Sequence, residues 1–310
     1  MTLIVIDPGP LTTVQDLGRF GFRRFGVPVS GAMDGYALRA ANALVGNDWN
    51  TTALEFGVEG PTLEAVDPCL IAVTGAGFEA RMQDRPKPLW TALFVRRHWT
   101  IQLKSTSRGG WGYLAVAGGI EWPLTLGSPT TYLRGGLGRG LKAGDTLTTS
   151  PVARPLLPMA GRHLPENKRP PYSGNPIVEA IPGPQWDRFT AEGVQTFLSS
   201  AYTLSPVSDR MGYRLDGPAI AHRSGADIIS DGLVPGSVQV PASGQPLVMM
   251  SEGPTTGGYT KIATVVSTDL PVLAQCPIGS GRVRFRMTTV EEAQERYRVM
   301  ISGLREAIES

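Results

Sequence analysis

Histidine, cysteine and clustered charge are scarce in this sequence, and each scarcity removes a class of function. The three histidines, His98, His163 and His222, fall in a Trp-flanked strand, a proline-rich stretch and a polar turn. Neither a histidine-based triad nor a His-rich metal site is expected from that scatter. Two cysteines, Cys69 and Cys276, sit among apolar neighbours without zinc-ligand spacing. Both read as small buried hydrophobes, and nothing in the sequence requires a disulfide. No GxxxxGK[ST] loop is present, and the glycine-rich run Gly136–Gly144 lies between strand-like segments and not ahead of a helix, so a phosphate cradle of that type has no support. Charged residues make up 18% of the chain and the formal net charge is +2. That balance gives no electrostatic case for nucleic acid, and the short run Arg134–Gly140 does not change it. No run of about 18 apolar residues exists, and Met1–Ile6 reads as a strand without the basic flank of a signal peptide. A cytoplasmic, soluble protein with no membrane or nucleic-acid partner is expected.

Glycine and proline, in contrast, are abundant at 38 and 26 residues, too many for a helical protein. With 310 residues and 41% hydrophobic content, the chain is long enough for two domains with substantial cores. Short β-prone runs recur from Thr52 to Leu147 between Gly, Pro and Asp turns, the signature of a barrel or sandwich. Asp34 stands as the N-cap of a helix whose Ala37, Ala40, Ala41, Leu44 and Val45 form one apolar stripe ending at Gly46, with Asn42 and Asn47 off it. Residues 151–176 carry closely spaced prolines with basic residues between them and read as an extended linker. A strand and then a helix starting near Pro184 follow, with Trp186, Phe189, Phe197 and Leu198 facing inward. Short strands resume from Tyr202 to Met287. The chain ends on a helix opened by the capping box Thr289-x-x-Glu292, with Ala293, Tyr297, Met300, Ile301, Leu304 and Ile308 on the stripe that faces a barrel.

Blocks repeat in order between the halves. Pro28–Leu38 echoes Pro206–Leu215, Gly112–Leu126 aligns with Gly258–Ala274, and Gly136–Leu147 faces Gly279–Phe285. A domain duplication explains this more simply than coincidence. The expected division is 1–150 for the first domain, 151–176 for the linker and 177–310 for the second domain with its terminal helix.

The stretch richest in ligand-type groups is Gln239–Val266. Its apolar runs Pro246–Met250 and Ile262–Val266 are too short for helices, which makes the intervening Thr255, Thr256, Gly257 and Gly258 a turn whose backbone N–H groups are open to a ligand. Lys261, just after it, is a candidate catalytic cation. Carboxylates, amides, hydroxyls and cations are the chemistry on offer, suited to orienting an amide or carboxylate and supporting an oxyanion. The further catalytic candidates are Glu55 and Asp34. Asp34 is explained by capping alone. Glu55 in an apolar run either faces solvent or demands a buried partner. Binding candidates are Arg19, Asn42, Asn47, Arg210, Gln239, Gln245, Thr255, Thr256, Gly257, Gly258 and Tyr259; a pair between Arg210 and Asp209 is the plainer reading of that arginine. No metal site is expected.

Val14–Gly21, Ser30–Asn47, Leu114–Gly119, Leu126–Thr131, Gly138–Asp145, Ser208–Leu215, Pro235–Pro246 and Thr255–Ala263 together resemble, in that order, the biotin-dependent carboxyltransferase (KipA-like) family. That family includes the C subunit of ATP-dependent 5-oxoprolinase and the allophanate hydrolase subunit 2 type domain of urea carboxylase. The resemblance implies a mainly β fold of two cyclophilin-like β-barrel domains with a few peripheral helices. It implies a hydrolase subunit, inactive alone, that works with the 5-oxoprolinase A and B subunits to open 5-oxo-L-proline to L-glutamate. ATP, with magnesium, is consumed in the complex, the substrate is a small amide or lactam, and no biotin is attached to this chain. Alternatives are a carboxyltransferase component of a urea carboxylase system, fed with carboxybiotin from elsewhere, and a non-catalytic regulator that binds a histidine-kinase inhibitor. The chain departs from the family pattern at Ser251 and Glu252, where an Asp is usual, at Thr260, where Pro is usual, and at Gly112, where Arg is usual.

Overall fold

A computed structural model describes residues 1–106 and 110–309. Residues Met1–Arg19 and Ser30–Arg169, with the chain end from Ser302, form one compact unit; Phe20–Val29 and Pro170–Ile301 form the other. The boundaries therefore differ from a simple division in chain order. Most of the proline-rich stretch belongs to the first unit, where Leu164 is fully buried and the backbone of 161–164 hydrogen-bonds Trp90 and Ala92. Prolines kept it out of regular strands, but its remaining N–H groups add it to a sheet edge.

The first unit contains β1 (Thr2–Asp7), β2 (Leu11–Gln15), β3 (Ala53–Gly57), β4 (Thr62–Ala65), β5 (Cys69–Gly75) and β6 (Phe78–Met82). It continues with β7 (Arg85–Lys87), β8 (Ala92–Val95), β9 (Thr100–Ser105), β10 (Trp111–Val116) and β11 (Thr146–Thr148). They form a six-stranded sheet, β11-β1-β4-β9-β6-β7, and a five-stranded sheet, β2-β3-β10-β5-β8. Alternation aims Phe78, Ala80 and Met82 of β6 and Ile101 and Leu103 of β9 at Phe56, Ile71, Val73 and Leu114 of the other sheet, giving one core. Strand β5 is buried along its whole length because α1 (Gly35–Leu44) covers its other face, with Thr74 Oγ1 donating to Ala37 O at 2.7 Å. That double burial explains its unbroken apolar run.

The second unit has β12 (Ile177–Pro182), α2 (Ala191–Ser199), β13 (Tyr202–Leu204), β14 (Gly212–Asp216), β15 (Asp227–Gly232) and β16 (Ser237–Gln239). After them come β17 (Leu247–Met249), β18 (Thr256–Tyr259), β19 (Lys261–Val265), α3 (Leu270–Ala274), β20 (Arg282–Met287) and α4 (Val290–Glu309), the last continuing into the first unit's share of the chain. Seven of the strands close a barrel in the order β12-β19-β16-β17-β14-β13-β20, while β15 and β18 make a separate two-stranded ribbon.

Several local expectations hold. Asp34 caps α1 by accepting from Ala37 N at 2.9 Å, and Thr289 and Glu292 exchange the two bonds of a capping box at 3.1 and 3.2 Å. Cys69 and Cys276 are buried free thiols, pushed up to about 12 and about 11 mainly by burial. Other expectations change. Residues after Pro184 form only a 3-10 turn, Trp186–Arg188, and the helix begins after Thr190, whose hydroxyl caps it; Phe189 and Phe197 are buried, Trp186 and Leu198 half-buried. Of the terminal helix's stripe, Leu304 alone is fully buried, and Ala293 and Tyr297 border an open apolar cleft of about 640 Å³ against Ile181, Val265 and Leu270. The echoed block Pro28–Leu38 enters helix α1, whereas Pro206–Leu215 enters strand β14. The repeats therefore do not all fall on equivalent elements. Among the described residues no helix is long and apolar enough to cross a membrane.

Candidate functional site

In the second unit the stretch Gln239–Val266 gathers ligand-type groups, though by a different route from the turn its glycines suggested. Residues Thr256–Tyr259 are strand β18, paired antiparallel with β15 through Asp227 and Tyr259, Asp231 and Gly257, and Gly232 and Thr256. Four steps on β15 against two on β18 make a bulge, which turns Asp231 out of the ladder's regular alternation. The partner strand is more than twenty residues upstream, so local sequence could not announce it. Gly257 thus serves close approach within a strand: a Cβ there would lie 2.6 Å from Gln239 Nε2 and 2.8 Å from a Leu233 methyl, so both side chains would have to shift, whereas a Cβ on Gly258 would meet only ordinary contacts.

Lys261 opens β19 beside Gln239 of β16, at a second irregularity in register. That irregularity frees its N–H, which donates to Gln185 Oε1 at 3.1 Å, and the turn at Gly183 presses so close that a Cβ there would meet Lys261 O at 2.2 Å. The Lys261 side chain is only 5% exposed, yet its ammonium reaches Asp231 Oδ2 at 2.5 Å and Gly232 O at 3.0 Å, and Asp231 is 53% exposed. The hydrogen bond from Lys261 is the main cause that holds the Asp231 carboxyl below the ordinary aspartate range, helped by Gly232 N, the lysine charge and Gln185. Gln239, 4% exposed, donates to Tyr259 O at 3.3 Å. Thr255 O accepts from Leu233 N at 3.0 Å and from Arg23, which also donates to Leu233 O, so that Arg23 clamps the ribbon's base. The result is an enclosed cation, an enclosed amide and an exposed carboxylate on a separate ribbon. The apolar cleft described above does not include any of these groups.

The first unit places its candidates differently. Glu55 is 1% exposed, and its Oε2 accepts from Met33 N and from Tyr113 Oη, each at 2.7 Å; Tyr113 Oη in turn accepts from Asp34 N at 2.7 Å. Burial first, then the charges of Glu55 and Asp34, push the Tyr113 hydroxyl far above its ordinary range, so it stays a donor. This chain of bonds fixes the entry to α1 and gives neither Glu55 nor Asp34 an opening to a ligand. Arg19, 1% exposed, donates from Nε to Thr125 O at 2.8 Å and from Nη2 to Thr130 O at 2.6 Å, while Nη1 is enclosed without an acceptor among the described residues. Burial lowers the pKa of this guanidinium, opposed by the charge of Asp16. Asp16 accepts from Ser128, Thr130 and Gly18 N.

Four further candidates prove to be fasteners. Asn42, expected off the apolar stripe, is fully buried and donates to Thr51 O at 2.7 Å; Asn47 donates to Asn42 and Val116 O and accepts from Gly118 N. Gln245 exchanges two 2.9 Å bonds with the backbone of Gly217, and among the described residues no bond joins it to Lys261. Arg210 donates to Glu252 at 2.6 Å, both side chains being about one-tenth exposed, whereas Asp209 accepts from Met211 and Gly212 N–H.

Residues 25–287 match the carboxyltransferase domain, subdomain A and B. This chain belongs to that family. It is 41% identical over 308 residues to the C subunit of 5-oxoprolinase from Escherichia coli (strain K12), covering 95% of this chain and 96% of that protein. It is 37% identical over 295 residues to the protein of the same name from Haemophilus influenzae, covering 93% and 92%. The crystal structure of the K. lactis urea amidolyase superposes with a TM-score of 0.92 at 27% identity, over 99% of this chain and 20% of that one.

Within this carboxyltransferase domain the departures from the family pattern have physical counterparts. A Cβ at Gly112 would fall 2.1 Å from the Phe56 ring, so any side chain there requires a smaller neighbour. Thr260 uses the N–H that a proline lacks, donating to Ala226 O at 2.8 Å, and its hydroxyl lies 3.1 Å from His222 Nε2. Glu252, where an Asp is usual, is the partner of Arg210. Sequence reasoning missed Asp231 and Gln185: an Asp-Gly pair reads as a turn, and Gln185 sits in a Pro-Gly-Pro context with no periodicity to mark it.

Proposed function

We propose that this carboxyltransferase domain is the C subunit of an ATP-dependent 5-oxoprolinase, inactive alone and acting in the cytoplasm with the A and B subunits to open 5-oxo-L-proline to L-glutamate. The observation that supports this reading best is end-to-end likeness. Two proteins named as the C subunit of 5-oxoprolinase match over more than nine-tenths of both lengths. The reaction is demanding because amide resonance makes the lactam carbonyl a poor electrophile. ATP supplies the driving force when bound, and among the described residues no N-terminus of the longer helices and no glycine loop is left open as a cradle for its phosphates. The N-termini of α1, α2 and α4 are already capped by Asp34, Thr190 and Thr289, and the 136–144 glycine run leads into β11. Nucleotide binding in this reading belongs to the other subunits. The role left to this chain is to hold the substrate: Lys261 offers a compact, enclosed cation to the carboxylate or to a developing lactam oxyanion, where an ammonium counts for more than in water. Gln239 and the Gly257 strand fix the walls beside it.

A second reading, the carboxyltransferase component of a urea carboxylase system, is favoured by the 0.92 superposition on the K. lactis urea amidolyase. It requires carboxybiotin carried by another chain. The deciding experiment is copurification with candidate A and B subunits followed by ATP-dependent 5-oxoproline turnover with and without this chain. Turnover that depends on all three supports the first reading. Turnover by this chain alone, or full turnover without it, defeats it.

A further inference from the structure

Resting on the reading of Lys261 as the substrate-holding cation, we propose that Asp231 is an internal stand-in for the ligand's carboxylate, and that the β15–β18 ribbon is the part that yields when a carboxylate ligand enters. The two partners of this ion pair are built unlike one another. Lys261 is rooted in the closed barrel with its side chain 5% exposed, while Asp231 is 53% exposed on a two-stranded ribbon that joins no other sheet. Ile229 in the middle of β15 is 95% exposed, so the outer side of the ribbon buries little apolar surface. A lone two-stranded pair is marginal in water, and segments with few buried apolar contacts open first.

The chemistry of the pocket suits exchange. An ammonium has three N–H donors; Asp231 and Gly232 O, both on β15, take two, and no protein acceptor for the third is found among the described residues. Lys261, Gln185 and Gln239 are rooted in the barrel or its connecting turn and not in the ribbon, to which Gln239 adds one bond, to Tyr259 O at 3.3 Å. An incoming carboxylate brings the same charge and the same two oxygens that Asp231 withdraws, so the lysine never faces an interior without a counter-ion, the state that is costly. Arg23 on Leu233 O and Thr255 O marks the hinge end. The ligand class follows: a small monocarboxylate. Closure by Asp231 lowers the apparent affinity by the fraction of chains that are open.

Isothermal titration of the full chain with L-5-oxoproline, sodium acetate and L-5-oxoprolinamide, which lacks the carboxylate, tests this in wild type, Asp231→Asn and Lys261→Met. Asp231→Asn is expected to bind the two carboxylates about tenfold more tightly than wild type, the factor for a site open one-tenth of the time. It should bind the amide no better, and Lys261→Met should bind neither carboxylate. Hydrogen exchange on the unmodified chain provides a check free of any folding defect: saturating acetate should speed exchange at Gly232 and Thr256–Tyr259. Asp231→Asn that binds carboxylates no more tightly than wild type, or ribbon exchange unmoved by acetate, overturns the proposal. Tighter acetate binding without L-5-oxoproline binding upholds the carboxylate site and defeats the 5-oxoproline reading instead.

Discussion

The two units enclose their most deeply buried carboxylates differently, although the first also pairs Asp145 with Arg139 nearer its surface. In the first, Glu55 and Asp16 are met by hydroxyls and backbone N–H groups from Tyr113, Met33, Ser128, Thr130 and Gly18. In the second, carboxylates meet cations: Lys261 with Asp231, Arg210 with Glu252, and Arg286 and Arg296 with Glu179. Hydrogen-bonded carboxylates are set by the surrounding backbone and cannot be exchanged without unfolding it. An ion pair with one exposed member can trade that member for a ligand. By this criterion Arg210 and Glu252, both enclosed, are structural, whereas Lys261 is the enclosed cation of these pairs whose carboxylate partner is exposed and can give way to another carboxylate; at Glu179 the exposed members are the arginines.

The sharpest test of that contrast within the second unit is Arg210→Met. Removing one member of an enclosed pair should cost about 3–5 kcal/mol, and the double variant Arg210→Met with Glu252→Leu should recover most of it; urea unfolding measures both. A double variant as unstable as the single one would mean that Arg210 does more than neutralise Glu252. In the first unit, Glu55→Ala strands the Tyr113 hydroxyl and the Met33 N–H, and a loss of about 3 kcal/mol is expected from two unmet buried donors. A fully stable Glu55→Ala would show that the buried network is not what holds the entry to α1.

These partners explain how far the sequence could be read. Features closed within four residues were legible: the Asp34 cap and the Thr289 and Glu292 box. What failed was non-local. Glu55 finds Tyr113 across 58 residues and Arg210 finds Glu252 across 42, so the demand for a partner was readable at Glu55 but its identity was not. The glycine pair at 257 and 258 suggested a turn because glycine weakens strand propensity, and only pairing with β15 overrides that. Lys261 and Gln239 were legible as ligand-type groups in one stretch, but Gln245 in the same stretch turned out to fasten Gly217.

Gln245→Ala therefore carries a small expectation: a loss of about 1 kcal/mol from two backbone bonds at a half-exposed position, with turnover of the reconstituted complex unchanged. A large fall in turnover at full stability would return Gln245 to the site. Smallest is a titration shift. Lys261 depresses the folded pKa of Asp231, so the contact is complete above the ordinary aspartate value of about 3.9 and is lost as pH falls through the depressed value. Carboxyl-carbon NMR should place the Asp231 midpoint below that value in wild type and raise it toward that value in Lys261→Ala, where the bonds from Gly232 N and Gln185 remain. A midpoint at the ordinary value in wild type would mean that the pair does not persist in solution.

The central claim is that Lys261 serves the substrate and not the fold. Lys261→Ala, assayed for 5-oxoproline turnover in the complex reconstituted with the A and B subunits and for assembly in the same preparation, tests it directly. A fall of about a hundredfold or more in turnover with assembly intact is predicted, whereas an assembled complex with full activity would contradict it.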